Sequence, residues 1–104
     1  MDAETLYLMS RGSMITFNVI PVGSAVTATP GALMLANAAG GAFTITLPIC
    51  PIGSVVAVKQ TDNTGNAVTL SPASGRIDGS TTYTLNYQYD YLWMVYDGVN
   101  WNIL

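Results

Sequence analysis

The sequence predicts an all-β protein built as a single small antiparallel β-sandwich or barrel-like domain. Two observations lead to this fold class. About eight to ten short apolar stretches, many with β-branched residues, are separated by turn residues at intervals of roughly 8–12 residues, as in sandwiches, barrels and prisms. No segment keeps a helical pattern for longer than about two turns.

The last third of the chain has the clearest strand pattern. Every second residue from 83 to 95 is apolar or aromatic, the period that places side chains on one face of a strand. The polar residues 86–90 allow a bend, so two strands can share this alternation. Turns are predicted on either side of it, at Asp78 and Gly79 and at Asp97 and Gly98. The second turn predicts a tight hairpin between the final two strands.

Several earlier strands are predicted from the same signals. Phe43, Ile45 and Leu47 alternate with threonines and are expected to point inward. The apolar run at 55–58 is typical of a strand covered on both faces. A dense polar turn at 61–66 predicts a hairpin that joins strands 54–60 and 67–71. The remaining predicted strands are 14–20, which Pro21 would end, and 32–36, with small and β-branched residues at 24–29 before it.

We expect residues 1–20 to form an N-terminal arm and first strand, and residues 21–104 to form the β-domain. The arm has an apolar cluster that could anchor the protein on a neighbouring subunit or a partner, by strand addition or apolar contact. The residues of this cluster are Leu6, Tyr7, Leu8 and Met9. Residues 4–9 fit a short helix or a strand. Residues 1–13 could also be a first core strand or a cloning remnant, because residues 11–14 (RGSM) resemble a tag junction.

The composition predicts that part of the surface is buried in an assembly. Half of the 104 residues are hydrophobic and only 9% are charged, against about 25% in an average soluble domain. Burial against other copies or another protein would cover the excess apolar surface; the alternative is a monomer with a polar, uncharged surface. The packing and subunit-interface candidates are Tyr83, Leu85, Tyr91, Trp93, Val95, Trp101 and Ile103.

The sequence disfavours several classes of chemistry. It has no histidine and one cysteine, which removes histidine-based catalysis and thiolate zinc sites. It has no glycine-rich phosphate-binding motif. Three scattered basic residues and a net charge of −3 argue against nucleic-acid binding. It shows neither an apolar run of about 18 residues nor a secretory signal. We therefore expect no enzyme activity, cofactor, metal, nucleic-acid or membrane partner, and assembly in a cytoplasm.

Two groups of residues leave alternatives open. The aspartates are expected to cap their own turns, although turn aspartates can bind calcium and paired carboxylates can hydrolyse glycosides; they are Asp62, Asp78, Asp90 and Asp97. Cys50 is expected to be a small buried hydrophobe. The tyrosines and tryptophans of residues 83–101 suit core and interface positions, but they could also line a carbohydrate-binding face.

Five segments follow one another in a characteristic order: FTITLP (43–48), IGSVVAVKQTD (52–62), NAVTLSP (66–72), GRIDGSTTYTL (75–85) and VYDGVNWNIL (95–104). Together they resemble a recurrent β-rich module of tailed-bacteriophage appendage proteins, which include tail fibres, tail spikes, head fibres and capsid decoration proteins. The resemblance implies a trimeric, structural module without catalytic residues. According to this resemblance, residues 77–79 and 97–101 match the turn and packing positions of the module.

The resemblance sets the functional expectation. The chain starts about forty residues before the matching stretch and has neither a coiled-coil heptad nor a repeated shaft. We therefore expect a homotrimeric capsid decoration or head-fibre protein, located in the virion, whose partners are itself and the major capsid protein or another virion protein. The alternative is a tail-fibre or tail-tip subunit that binds a host-surface glycan.

Overall fold

A computed structural model describes residues 18–104, and within them the protein is all-β, with two mixed sheets and no helix. The strands are β1 (Asn18–Val22), β2 (Val26–Thr27), β3 (Ala32–Ala36), β4 (Phe43–Leu47), β5 (Val55–Gln60), β6 (Val68–Pro72), β7 (Tyr83–Leu85), β8 (Tyr91–Tyr96) and β9 (Trp101–Ile103). None of the described residues belongs to a helix that could span a membrane.

The chain winds back and forth between the two sheets. The first sheet has the order β1-β3-β5-β8-β9 and the second the order β2-β4-β6-β7. Up to β6, successive strands alternate between the sheets and pair in parallel with the strand two places earlier. They therefore form three stacked coils. β7, β8 and β9 then add antiparallel strands to the ends of the sheets.

The predicted all-β class and most strand positions are confirmed, but the predicted antiparallel arrangement holds only in part. In particular, the expected hairpin between residues 54–60 and 67–71 is wrong. Those residues form β5 and β6, which lie in different sheets and pair with other strands. The 61–66 segment between them is a corner of the third coil.

Hydrogen bonds to the preceding coil explain why 61–66 forms a corner. The Thr61 amide donates to the Ala36 carbonyl at 2.8 Å. The Ala38 amide donates to the Asp62 carboxylate at 2.7 Å, and the Asn66 side-chain amide donates to the Ala38 carbonyl at 2.8 Å. A buried backbone group needs such a partner, so these polar side chains stack one corner on the other.

The core lies between the two sheets. β3, β5 and β8 point alternate side chains inward, and β4, β6 and β7 do the same from the opposite side, as the two-residue period of a strand requires. The fully buried members include Met34, Ile45, Leu47, Val56, Val58, Val68, Leu70, Leu85, Met94 and Trp101. The predicted inward direction of Ile45 and Leu47 is confirmed, and Phe43 is half-buried against this core.

The first strand extends further than predicted. Its expected end at Pro21 is wrong, because β1 runs on to Val22 and crosses the predicted boundary between the arm and the domain. Proline is compatible with this position because β1 is an edge strand. Residues 14–17 of the predicted strand lie outside the described residues.

The predicted C-terminal hairpin is confirmed. β8 and β9 pair antiparallel, and the Asp97 amide donates to the Asn100 carbonyl at 3.0 Å across the connecting loop. The earlier turn brings Ile77 and Ser80 into an antiparallel bridge. Asp78 and Gly79 between them have φ angles of 44° and 84°, the left-handed values that a two-residue primed turn requires.

Candidate interaction surface

The outward side of the first sheet is almost entirely apolar, and we term it the apolar outer face. The inward side chains of its strands fix which residues point outward, since successive side chains alternate. The face comprises Val19, Pro21, Leu33, Leu35, Val55, Ala57, Lys59, Tyr91, Trp93, Val95 and Asn102.

Strand register arranges this face in rows that run across the sheet. The central row is Val19, Leu33, Ala57 and Trp93. Ala57 lies between the larger Leu33 and Trp93 in this row and is only 1% exposed. On one side of the central row lie Val55 and Val95. On its other side lies a row made of Pro21, Leu35, Lys59 and Tyr91.

Among the described residues, Lys59 is the one charged side chain on this face. Its ammonium lies 5.4 Å from the centre of the Tyr89 ring, within the range of a cation–π contact. The contact holds the charge at one end of β5. The rest of the face therefore presents only apolar and aromatic side chains, with one amide from Asn102 on β9.

The outward side of the second sheet has the opposite character. Register places Thr44, Thr69 and Thr84 in one row and Thr27, Thr46 and Ser71 in the next. Every one of these side chains has a hydroxyl group, which can exchange hydrogen bonds with water. The outward side of the second sheet is thus suited to contact with solvent, whereas the apolar outer face of the first sheet is suited to burial.

The seven predicted packing and interface residues fall into different environments. Leu85 and Trp101 are fully buried in the core, and Ile103 is half-buried against it. Trp93 and Val95 are half-buried on the apolar outer face, and Tyr91 on the same face is 63% exposed. Tyr83 lies on β7 at the edge of the second sheet and is 37% exposed.

The alternation from residue 83 to 95 is shared by two strands, the arrangement that the polar residues 86–90 allow. The alternation is interrupted between β7 and β8, which belong to different sheets. In β8 the buried residues are Leu92, Met94 and Tyr96. Tyr91, Trp93 and Val95 therefore point away from the core that Leu85 enters.

Sequence reasoning missed Val19, Leu33, Leu35 and Val55 as surface candidates. Their signal is present in the sequence, because β1 reads NVIPV, β3 reads ALMLA and β5 begins VVAV, each with apolar residues at both parities. Such a pattern is typical of a strand that is covered on both faces. The proposed anchoring residues Leu6, Tyr7, Leu8 and Met9 lie outside the described residues.

A buried polar network surrounds Asp62, which is 9% exposed. Its carboxylate accepts hydrogen bonds from the Thr64 hydroxyl at 2.5 Å, the Ala38 amide at 2.7 Å and the Gln60 side-chain amide at 3.3 Å. These donors favour the charged form, the Thr64 hydroxyl most strongly, and together they outweigh burial and lower the pKa of Asp62 to about 2. The ionised Asp62 carboxylate accepts all of these hydrogen bonds and thereby holds the 61–66 corner in place.

This network predicts a loss of stability in acid. Unfolding returns Asp62 to a pKa of about 3.9, so its contribution is complete above about pH 4 and disappears as the pH falls towards 2. We expect the melting temperature, measured by circular dichroism from pH 7 to pH 2, to decrease in that window. Asp62→Asn should lower the melting temperature at pH 7 and make the acid decrease smaller. An equally steep decrease in the variant would contradict this role.

The other turn residues also serve the backbone. Asp97 accepts hydrogen bonds from the amides of Asn100 and Val99 and from the Asn102 side chain, and these donors lower its pKa. Asp78 accepts from the Ile103 amide at 3.1 Å, and Asp90 from the Tyr91 amide at 3.1 Å. Cys50 is half-buried against the core.

Within residues 18–104, no group of three or more histidine, cysteine, aspartate or glutamate side chains converges to hold a metal ion. No protein-family model matches the sequence, and comparison with curated proteins gives no significant match. The two outer faces and the loops that flank them are therefore the features from which we infer a function.

Proposed function

We propose that this chain is a structural protein of a tailed-bacteriophage particle, which assembles as a homotrimer and decorates the capsid or forms a short head fibre. In this proposal it acts by assembly and not by catalysis. Its partners would be two further copies of itself and a major capsid or other virion protein. Residues 1–20 would include the segment that attaches it to the particle.

The contrast between the two outer faces is the observation that supports assembly. Five strands spaced about 4.8 Å apart, each about five residues long, give the apolar outer face a projected area of roughly 300 Å². Apolar patches of that size on soluble proteins are commonly sites of interaction. The hydroxyl-bearing face of the second sheet offers no comparable reason for burial.

The phage assignment is supported by the sequence resemblance over residues 43–104, which correspond to β4 to β9. The segments that carry it contribute strands to both sheets, and they include the turns at Asp78 and Asp97. Antibodies raised against the purified protein provide the test. Immunogold electron microscopy of a phage lysate from the source culture should label the particles, and labelling confined to free protein would contradict a virion role.

A charge placed on the apolar outer face should prevent trimer formation. Leu33 is half-buried in the central row, so Leu33→Glu would bring three carboxylates into an apolar interface, where unpaired charges are strongly unfavourable. We expect light scattering on a sizing column to give a monomer mass for this variant.

Thr46→Glu is the matched control. Thr46 is also half-buried on an inner strand, but it points outward from the second sheet. This variant should keep the wild-type mass. A trimeric Leu33→Glu protein, or equal dissociation of both variants, would show that the apolar outer face is not the subunit contact.

A further inference from the structure

A groove lies between the loops that connect β5 to β6 and β7 to β8, and none of its lining residues belongs to the apolar outer face. It has a volume of about 460 Å³ and is lined by Asn63, Gly65, Asn86, Tyr87 and Gln88. We term it the tyrosine–amide groove. Its volume is in the range of small-molecule sites, about 300–1,000 Å³.

The described lining of the groove combines one aromatic ring with side-chain amides and includes no charged residue. Tyr87 is 75% exposed, so its ring face is accessible. The side chains of Asn63 and Asn86 and the phenol of Tyr87 form no hydrogen bond with any other described residue. Each amide offers two donors and an acceptor, so the groove presents hydrogen-bonding groups that the rest of residues 18–104 does not use, around an apolar surface.

Both walls of the groove are held in place by the protein interior. The 61–66 wall is fixed by the Asp62 carboxylate and by the Asn66 side chain. On the other wall, the Tyr89 amide donates to the Gln60 carbonyl at 2.7 Å. The Gln88 side-chain amide donates to the Thr61 carbonyl at 3.3 Å and so links the walls. A preformed site loses less conformational entropy when a ligand binds.

Backbone strain in the second wall also favours a binding role for the groove. Tyr89 has a φ angle of 66°, a left-handed conformation that is uncommon for a bulky residue. Such strain persists only where the surrounding structure enforces it, and it is concentrated at functional sites. The strained residue directly follows the Tyr87 and Gln88 pair that lines the groove.

We propose that the tyrosine–amide groove binds a neutral saccharide. A pyranose ring has a face of C–H groups that stacks on an aromatic ring, and a rim of hydroxyl groups that both donate and accept hydrogen bonds. Tyr87 supplies the stacking surface, and Asn63, Asn86 and Gln88 supply amides of matching polarity. An anionic ligand is disfavoured because no cation within residues 18–104 lines the groove.

The test is an amide-resolved NMR titration of the full-length protein. The probes are glucose, galactose, N-acetylglucosamine and their disaccharides, with sialic acid as the charged comparison. We expect at least one neutral probe to shift the amides of Gly65, Asn86 and Gln88 in a saturable manner. Tyr87→Ala should weaken this binding roughly tenfold, whereas Tyr87→Phe should retain most of it.

Tyr83→Ala is the control, because Tyr83 is partly exposed but lies outside the groove, and it should bind as the wild type does. The proposal is overturned if no neutral probe shifts these amides, if only sialic acid does, or if Tyr87→Ala binds unchanged. Since Tyr87 is not on the apolar outer face, Tyr87→Ala should keep the native mass, which separates this test from that of trimer assembly.

Discussion

Replacing Gly75 with alanine should destabilise the protein by more than about 3 kcal/mol, among the larger effects of a single substitution. A Cβ atom at this position would overlap the Val99 carbonyl oxygen, and the Gly75 φ angle is +76°. Because the obstructing atom belongs to the backbone, the loop before β9 would have to move. That movement would disturb the hydrogen bond from the Trp101 amide to the Arg76 carbonyl, 2.8 Å long.

Gly79→Ala is a matched control for this substitution. Gly79 has a similar φ angle of +84°, but no atom lies within 4 Å of the position that an alanine methyl group would take. The Gly79→Ala variant should therefore lose only the free energy that an alanine pays for the left-handed conformation, about 1–2 kcal/mol. Urea unfolding of both variants measures the difference. Equal losses of stability would show that the approach of Val99 to Gly75 does not constrain the fold.

Trp101→Ala should cost about 3–5 kcal/mol, the range for truncation of a large buried aromatic side chain. Trp101 has no exposed surface, and its ring centre lies 5.2 Å from that of Tyr96. Its backbone also pairs with Tyr96 across the final hairpin and bridges to Ile77. Loss of the ring would leave a cavity where β8, β9 and the 77–80 turn meet, so assembly should fail as well.

Trp101→Phe separates packing from hydrogen bonding. The buried indole N–H has no hydrogen-bond partner among the described residues, so its removal eliminates an unsatisfied donor. The phenylalanine variant should therefore be clearly more stable than the alanine variant in chemical unfolding. Wild-type stability for Trp101→Ala would mean that this side chain does not belong to the core.

The strands and the C-terminal hairpin could be predicted from the sequence because their signals are local. The alternation in β4 and the turn at Asp97 and Gly98 identify structures formed by neighbouring residues. The coiled topology could not be predicted in the same way. A polar cluster such as 61–66 suits a hairpin tip or a coil corner equally well, and the bonds that decide between them reach back to Ala36 and Ala38.

The uneven length of the coils also hides the topology. The coil strands of the first sheet, β1, β3 and β5, begin at residues 18, 32 and 55, and those of the second sheet, β2, β4 and β6, begin at 26, 43 and 68. The sequence therefore has no fixed repeat to detect. The outward direction of the apolar residues is hidden in the sequence for another reason. In β3, apolar residues occupy both faces, and only the burial of Ala32, Met34 and Ala36 against the second sheet identifies Leu33 and Leu35 as outward-pointing.

The two outer faces connect this fold to its proposed role. The parallel coils place hydroxyl groups on one side and apolar side chains on the other, and the antiparallel strands β8 and β9 extend the apolar side. In a trimer, the apolar sides would meet and the hydroxyl sides would face water. The tyrosine–amide groove, at the end of β5, would provide a separate site for a saccharide.

The native mass of the full-length protein tests the central claim most directly. Multi-angle light scattering on a sizing column should give a mass of three 11.0 kDa chains, and the value should persist on dilution because dissociation would expose the apolar outer faces to water. A single-chain mass at every concentration would contradict the trimer and the burial of the apolar outer face between copies.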